Sequence, residues 1–128
     1  MVPMKTKQLF LVLSFLAVAT IALLYGISPT WFARTFLNVP QLSVDFSHIF
    51  RALMTLYMGL GFFWLYAAFN DKYRNTAVLT TVIFAGGLVI GRLLSLLVDG
   101  KPSTILLFYT ALELGLIPIS LLVYRLRD

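Results

Sequence analysis

The chain has 128 residues, of which 60% are hydrophobic and 12% are charged. Soluble domains average about 45 to 50% apolar and about 25% charged residues, so a water-soluble fold is excluded and a single membrane domain over residues 1–128 is indicated. With no cysteine and one histidine, the chain lacks the residues for disulfides, thiolate nucleophiles or a cluster of metal-binding imidazoles. We therefore expect no metal and no other cofactor.

Four apolar stretches are each long enough to cross a membrane as a helix. A hydrocarbon core of about 30 Å requires about 20 residues at about 1.5 Å per residue. The first stretch is uncharged, and the others contain one charge each, namely Arg51, Arg92 and Glu113. Short connections place consecutive helices antiparallel, which predicts an all-α membrane protein, an antiparallel four-transmembrane-helix bundle. The predicted spans are residues 8–27, 47–69, 76–98 and 103–124.

A short interfacial helix is predicted at residues 29–39, between the first two spans. Ser28 is a helix cap before a proline at the first helical position, Pro29, and Pro40 ends the segment. The aromatic residues of this segment suit the headgroup boundary and its arginine suits water, as in a helix that lies on a membrane. These residues are Trp31, Phe32, Phe36 and Arg34.

The remaining helix boundaries are predicted from short polar segments. Asp45 is the expected N-cap of the second span, because aspartate accepts hydrogen bonds from free backbone N–H groups. Residues 71–75 and 99–102 are expected to form two tight turns, since they are rich in Asp, Asn, Gly and Pro.

The basic residues are distributed unevenly between the two sides of the membrane. If the N-terminus is cytoplasmic, six flank the spans on that side and two on the other. This follows the positive-inside rule, so we expect a multi-pass cell-membrane protein with both termini in the cytoplasm. Topology and contact with anionic membrane lipid then explain the positive charge, and no nucleic-acid partner is expected. The six are Lys5, Lys7, Lys72, Arg74, Arg125 and Arg127, and the two are Arg34 and Lys101.

The N-terminal stretch also has features of a cleavable secretory signal. Two lysines precede an apolar run and the small residues Ala17-Val18-Ala19. The apolar run continues through Ile27, however, which is longer than the roughly 7 to 15 residues of a usual signal. We therefore expect the first span to be retained.

Arg51, Arg92 and Glu113 are predicted to form one polar cluster inside the bundle. A charge at the centre of a membrane helix costs roughly 2.5 to 3.5 kcal/mol, so each requires a partner, water or a route to the interface. Counted along the helices from the nearest loop, the three lie about 9, 10 and 15 Å deep. Glu113 is expected to be reached by one or both guanidinium groups.

Two interpretations of this cluster stay open. It can simply lock the helices together, or its excess positive charge can bind an anionic or polar ligand in a pocket. His48 is expected on the rim as a hydrogen-bonding residue rather than as a metal ligand or proton relay. No charge lies in the cytoplasmic half of any span, so the pocket is expected to open outward as a cup closed below Glu113. The predicted ligand-binding residues are Arg51, Arg92 and Glu113 with His48, Asp99, Tyr109 and Thr110.

Glycines and aromatic residues add two further expectations. Glycines are expected at helix contacts inside the bundle, and a group of aromatic residues on the second span is expected to face lipid or the interface. The glycines are Gly26, Gly59, Gly61, Gly87 and Gly91, and the aromatic residues are Tyr57, Phe62, Phe63, Trp64 and Tyr66.

Three segments carry a resemblance to a known family. They are FRALMTLYMGLGFFWL at 50–65, GGLVIGRLLSLLVDGKPS at 86–103 and ALELG at 111–115. From about Tyr25 onward the chain resembles a family of small bacterial four-span membrane proteins, the domain of unknown function 4345, and by overall shape it is loosely similar to DoxX-like proteins. The resemblance carries over Arg51, Arg92, Asp99, Gly100 and Glu113 without assigning any of them a role.

Three classes of function fit these observations. The first is a protein that binds or transports a small polar, anionic or amphiphilic molecule in an outward-facing Arg/Glu pocket. The second is a structural or accessory subunit that assembles with a membrane protein partner or with copies of itself. The third is a membrane enzyme in which Glu113 acts as a general acid or base, although no recognised catalytic motif is present.

Overall fold

The computed structural model describes residues 5–126, and within that range it is helical with no strand. Four long helices alternate in direction, and a short helix follows the first of them. The helices are α1 (Thr6–Gly26), α2 (Pro29–Phe36), α3 (Val44–Ala68), α4 (Asp71–Val98) and α5 (Thr104–Tyr124).

The four long helices are the predicted membrane spans. They have 21, 25, 28 and 21 residues, and each contains a sufficiently apolar window to cross a membrane. Large apolar side chains cover the outside of the bundle, for example Leu97 at 87% exposed and Ile90 at 70% exposed. An exterior of this kind requires lipid around it. The chain is a multi-pass membrane protein, and the predicted helical bundle is confirmed.

The two ends of the bundle differ, and we name them by their residues. At the basic end, α1 and α4 begin, with Lys5, Lys7, Lys72 and Arg74 near their first turns. At the α2 end, α1 and α4 finish and α2 follows α1.

Two seams of the bundle are important for the site. The closed seam lies between α1 and α3, which form the most extensive helix contact. A Cβ added at Gly26 would lie 2.3 Å from Met54 Cβ, so this glycine is required for close packing. The open seam lies between α3 and α4. There, a Cβ added at Gly87 or Gly91 would meet no atom within 4 Å, so the prediction that these two glycines pack inside the bundle is wrong.

The helix starts confirm one sequence prediction and correct two others. Ser28 caps α2 by accepting a hydrogen bond from Trp31 N at 3.3 Å, with Pro29 at the first helical position as expected. Asp45 is not a cap, because Ser43 starts α3 two residues earlier and accepts from Phe46 N. Residues 71–75 are not a turn but the beginning of α4, which Asn70 caps.

Several aromatic residues expected at the membrane surface are buried instead. Phe32 of α2 is fully buried, with its ring centroid 4.9 Å from that of Tyr25 in an edge-to-face contact. Trp31, by contrast, is half exposed. On α3, Tyr57 and Trp64 are buried in the core. Helix α2 therefore covers the end of the bundle and does not only lie on the membrane.

Candidate functional site

An ion pair between α4 and α5 lies at the centre of the candidate site. Arg92 Nε donates to Glu113 Oε2 and Arg92 Nη2 donates to Glu113 Oε1, both at 3.3 Å. The Arg92 side chain is 20% exposed and that of Glu113 is 12% exposed. Such a two-point contact fixes the orientation of both groups as well as neutralising them. Arg92 thus has the partner that its position within a membrane helix requires.

A tyrosine of α1 lies beside this pair. The Tyr25 hydroxyl interacts with the Arg92 guanidinium, and Tyr25 is itself 6% exposed. Its ring also makes an edge-to-face contact with the ring of Tyr109, with centroids 5.9 Å apart. Three helices therefore contribute to one polar centre inside an otherwise apolar bundle.

An inner cavity of about 190 Å³ lies on one side of the pair. Its polar groups are few, and one of them, the Tyr109 hydroxyl, is buried without a hydrogen-bond partner. Buried hydroxyls almost always have a partner, so this one has an unmet hydrogen bond, although its oxygen exposes almost no surface to the cavity. The other lining residues are Ser14, Ala17, Val18, Ile21, Tyr25, Tyr57, Trp64, Phe84, Leu88, Leu112, Glu113 and Leu116.

A groove of about 440 Å³ lies on the other side of the pair, along the open seam. Arg92 lines it, and the exposed Gly87 and Gly91 form a smooth strip of its floor. Helices α3 and α4 still touch nearer the basic end, where Trp64 Nε1 donates to Thr80 Oγ1 at 2.9 Å. The other lining residues are Tyr25, Leu37, Phe50, Leu53, Tyr57, Leu88, Ser95 and Leu106.

The ion pair lies between these two spaces. Tyr25, Tyr57 and Leu88 line both the inner cavity and the groove, so the spaces are adjacent. Together they are within the roughly 300 to 1,000 Å³ of typical ligand pockets, which are mostly apolar with a few placed polar groups. The arrangement can accommodate an apolar group beside a fixed pair of hydrogen-bonding side chains.

The bundle is tightly packed between the inner cavity and the basic end. Thr81 Oγ1 donates to Ser120 Oγ at 3.1 Å between α4 and α5, and both residues are fully buried. Leu11 and Val78 are also fully buried at this level. These contacts leave a site closed on one side, as in a cup.

The structure brings together only some of the predicted site residues. Arg92, Glu113 and Tyr109 surround the inner cavity or the groove. Arg51 and His48 are exposed on α3, and Arg51 forms no ion pair with any described residue. The predicted cluster of three charges is therefore a pair, and the excess positive charge expected from a second arginine is absent from it.

The last two predicted residues make local contacts. Asp99 is exposed at the end of α4, where its Oδ2 accepts from Ser95 Oγ at 2.5 Å. Thr110 is buried, and its hydroxyl donates to the Leu106 carbonyl of its own helix at 2.8 Å. Neither residue lines the inner cavity.

Sequence reasoning missed Tyr25, Tyr57 and Trp64 as site residues. A signal was present on α3, because Tyr57, Gly61 and Trp64 follow one another at intervals of four and three and so lie on one face. Gly61 on that face contacts Val18 of α1, which places the two aromatic rings towards the interior. Within residues 5–126, no group of three His, Asp or Glu side chains is close enough to hold a metal ion.

Comparison with known proteins identifies the family. No curated protein and no solved structure matches the chain. One family model does match, over residues 6–124, which includes all five helices and nearly the whole chain. The chain belongs to the family described as Domain of unknown function (DUF4345).

Proposed function

We propose that this protein binds a small amphiphilic molecule inside the membrane. The observation that carries the proposal is the position of the Arg92–Glu113 pair between an apolar cavity and a groove. A polar headgroup would bind at the pair, and the apolar part of the molecule would occupy the adjacent space. Pockets that combine apolar walls with a few fixed polar groups are typical of small-molecule sites.

The charge of the site favours a headgroup that is polar but uncharged. Arg92 and Glu113 neutralise each other, and Arg51 is not at the site to add a positive charge. The guanidinium has five N–H donors, of which Glu113 uses one at Nε and one at Nη2, and the Tyr25 hydroxyl lies beside the same group. The remaining donors and the Tyr109 hydroxyl can bind a hydroxyl or carbonyl oxygen without separating the ion pair.

The inner cavity suits an apolar group at least the size of a benzene ring. A cavity of about 150 Å³ lined by apolar side chains is known to bind benzene, and this one is about 190 Å³. The rings of Tyr57, Trp64 and Phe84 line it and offer edge-to-face contacts. An alkyl chain with its hydroxyl at Arg92 would fill this cavity towards Trp64, and the groove across Gly87 and Gly91 would remain as the route of entry.

The site is proposed to be a binding cup rather than a pore. The packed layer that includes Thr81 and Ser120 separates it from the basic end, and a pore requires a continuous polar path. Entry would occur through the groove on the open seam.

Binding of decanol to the protein in lipid nanodiscs tests this function. The amount of bound decanol, after subtraction of the amount held by empty nanodiscs, should saturate as the decanol concentration rises. Decanoate should bind no more tightly than decanol. The combined Arg92→Leu and Glu113→Leu variant should lose this saturable binding, because it removes the polar pair while leaving no unpaired charge. Arg51→Leu is the matched control and should bind normally. Tighter binding of decanoate, or normal binding by the double variant, contradicts the proposal.

A second candidate function, as an accessory subunit of a membrane complex, rests on Arg51. This arginine is exposed about two turns into α3 and has no ion-pair partner among residues 5–126. A carboxylate from a partner protein or a second copy of this chain would satisfy it. Cross-linking in intact membranes should then join the unaltered protein to a partner, and the Arg51→Leu variant should not be joined to it. Trapping of the same partner by both proteins contradicts an Arg51 contact. The loose similarity to DoxX-like proteins supports this second candidate.

We also propose a bacterial inner-membrane location with both ends of the chain in the cytoplasm. The support is the placement of Lys5, Lys7, Lys72 and Arg74 at one end of the bundle, as the positive-inside rule requires. A reporter fused after Asp128 should be active only as a cytoplasmic reporter, and one inserted at Lys101 only as an external reporter. The opposite pattern would overturn this orientation.

A further inference from the structure

A second polar cavity, at the basic end, is independent of the proposed amphiphile site. It has a volume of about 290 Å³ and opens between the first turns of α1 and α4. Among the described residues that line it, four are cations and one is a carboxylate. The lining residues are Lys5, Lys7, Asp71, Lys72, Arg74 and Asn75.

The carboxylate in this cavity is already engaged by one of the cations. Arg74 Nη1 lies 2.5 Å from Asp71 Oδ1, and the same side chain donates through Nε and Nη2 to the Ala68 carbonyl at 3.3 and 3.1 Å. Arg74 is 7% exposed and is held by the Ala68 carbonyl, whereas the Asp71 side chain is 85% exposed. The exposed Lys5 and Lys72 are the cations at this cavity that a ligand can contact without disturbing these bonds.

The lysines are held at different depths around the opening. Lys7 is 3% exposed and its ammonium group donates to Asn75 Oδ1, which joins α1 to α4. Lys5 and Lys72 are exposed at the rim. The cavity thus has a cationic wall and two mobile cationic side chains at its entrance, an arrangement suited to an anion.

Two helix N-termini add to the positive potential at this point. Helices α1 and α4 run in the same direction and begin at Thr6 and Asp71, beside the cavity. The N-terminus of a helix carries roughly half a positive charge, although at α4 Asn70 already accepts from Lys72 N and Tyr73 N. The helix dipoles therefore add to the attraction that the side chains provide for an anion.

The opposite end of the bundle has a cavity without this character. It is larger, about 590 Å³, and none of the described residues lining it is charged. The two ends are both at the depth where membrane helices meet lipid headgroups, so the difference between them is one of charge.

We propose that the cavity at the basic end binds the phosphate of an anionic phospholipid headgroup. The phosphate would lie between the N-termini of α1 and α4, and Lys5 and Lys72 would close over it. Clusters of lysine and arginine at the ends of membrane helices bind such lipids because each adds attraction to the negative headgroup. Because the cavity lies at the end of the membrane spans, it is at the depth of the lipid headgroups.

Lipid that co-purifies with the protein tests this proposal. The protein is reconstituted in an equal mixture of phosphatidylglycerol and phosphatidylcholine, extracted in a neutral detergent, and its retained lipids are measured by mass spectrometry. The unaltered protein should retain phosphatidylglycerol selectively. Lys5→Gln combined with Lys72→Gln should reduce that selectivity about tenfold or more, because two cations near the headgroup are lost.

A charge-matched variant separates a specific site from general attraction. Arg34→Gln combined with Lys101→Gln also removes two exposed cations, but away from the basic end, and should keep the selectivity. Equal loss in both variants, or no selectivity in the unaltered protein, overturns the proposal.

Inorganic phosphate added during extraction should not displace the lipid. Complete displacement would show a site for free phosphate and would also overturn it. Decanol binding should be unchanged in every variant, so the two proposed sites can fail separately.

Discussion

Helix α3 packs against its two neighbours in opposite ways. On the closed seam, Gly26 and Gly61 allow α1 and α3 to approach until an added Cβ would lie 2.3 Å and 2.8 Å from the facing side chains. On the open seam, Gly87 and Gly91 of α4 face a groove with no atom within 4 Å of an added Cβ. The same residue type thus has a packing role on one seam and exposes a smooth surface on the other.

The difference places open space beside the ion pair on one seam alone. The closed seam gains dispersion contacts along its length, whereas the open seam has a groove beside the Arg92–Glu113 pair. Because the groove is open to the exterior, a lipid chain or a bound molecule can occupy it in the membrane. The open seam and its ion pair are therefore the parts to alter first.

The largest effect is expected from Arg92→Leu, which leaves the Glu113 carboxylate buried without its partner. Removing one member of a buried ion pair costs about 3 kcal/mol, which corresponds to a fall of roughly 6 to 12 °C in Tm for a chain of this size. Thermal unfolding in detergent measures it. Arg51→Leu, which removes an exposed arginine of the same length, should leave Tm unchanged.

The same experiment includes a test of the contact itself. Adding Glu113→Leu to Arg92→Leu should restore most of the lost stability, since neither charge is then left alone. Simple additivity of the two changes would show that the side chains do not interact.

A medium effect should distinguish the two seams directly. Gly26→Ala should destabilise the protein by about 1 to 3 kcal/mol, because the added Cβ overlaps Met54 and forces the helices apart. Gly91→Ala should stabilise it by about 0.5 to 1 kcal/mol, since alanine favours a helix and the space is open. Denaturant unfolding of both variants provides the comparison. Equal destabilisation would mean that the open seam is closed in the membrane.

The smallest effect is expected at the hydroxyl that has no partner. Tyr109→Phe removes a buried polar group without a hydrogen bond and should stabilise the ligand-free protein by about 1 kcal/mol. The same change should weaken decanol binding, because the proposed headgroup loses a contact. Tyr124→Phe, at an exposed tyrosine outside the inner cavity, is the control and should change neither quantity. A loss of stability in Tyr109→Phe would indicate that the hydroxyl is already bonded.

Most of the fold could be predicted because lipid imposes a simple rule on sequence. Apolar length identifies a membrane helix almost regardless of tertiary contacts. Helix starts were harder to predict, because several residues near each start can act as caps. Ser43 and Asp45 are both good cap residues, and only the backbone conformation at Ser43 decides between them.

The site was predicted in part, for a geometric reason. Position along a helix follows from counting residues, so the similar depths of Arg51, Arg92 and Glu113 could be estimated. The direction of each side chain depends on how its helix is rotated against its neighbours. Arg51 follows the half-buried Phe50 by one residue, a turn of about 100° that places it outside the bundle.

Locating a bound amphiphile relative to Trp64 tests the proposed site at the Arg92–Glu113 pair most directly. Trp31→Phe leaves Trp64, which lines the inner cavity and is 1% exposed, as the one tryptophan of the chain. Its fluorescence is measured in nanodiscs with undecanol brominated either at the chain end or beside the hydroxyl. With the hydroxyl at Arg92, quenching should be saturable and stronger for bromine at the chain end, and it should be lost in the Arg92→Leu and Glu113→Leu variant. Quenching that rises linearly and equally with both probes would show that the alcohol reaches Trp64 only as bulk lipid does, which would contradict the account.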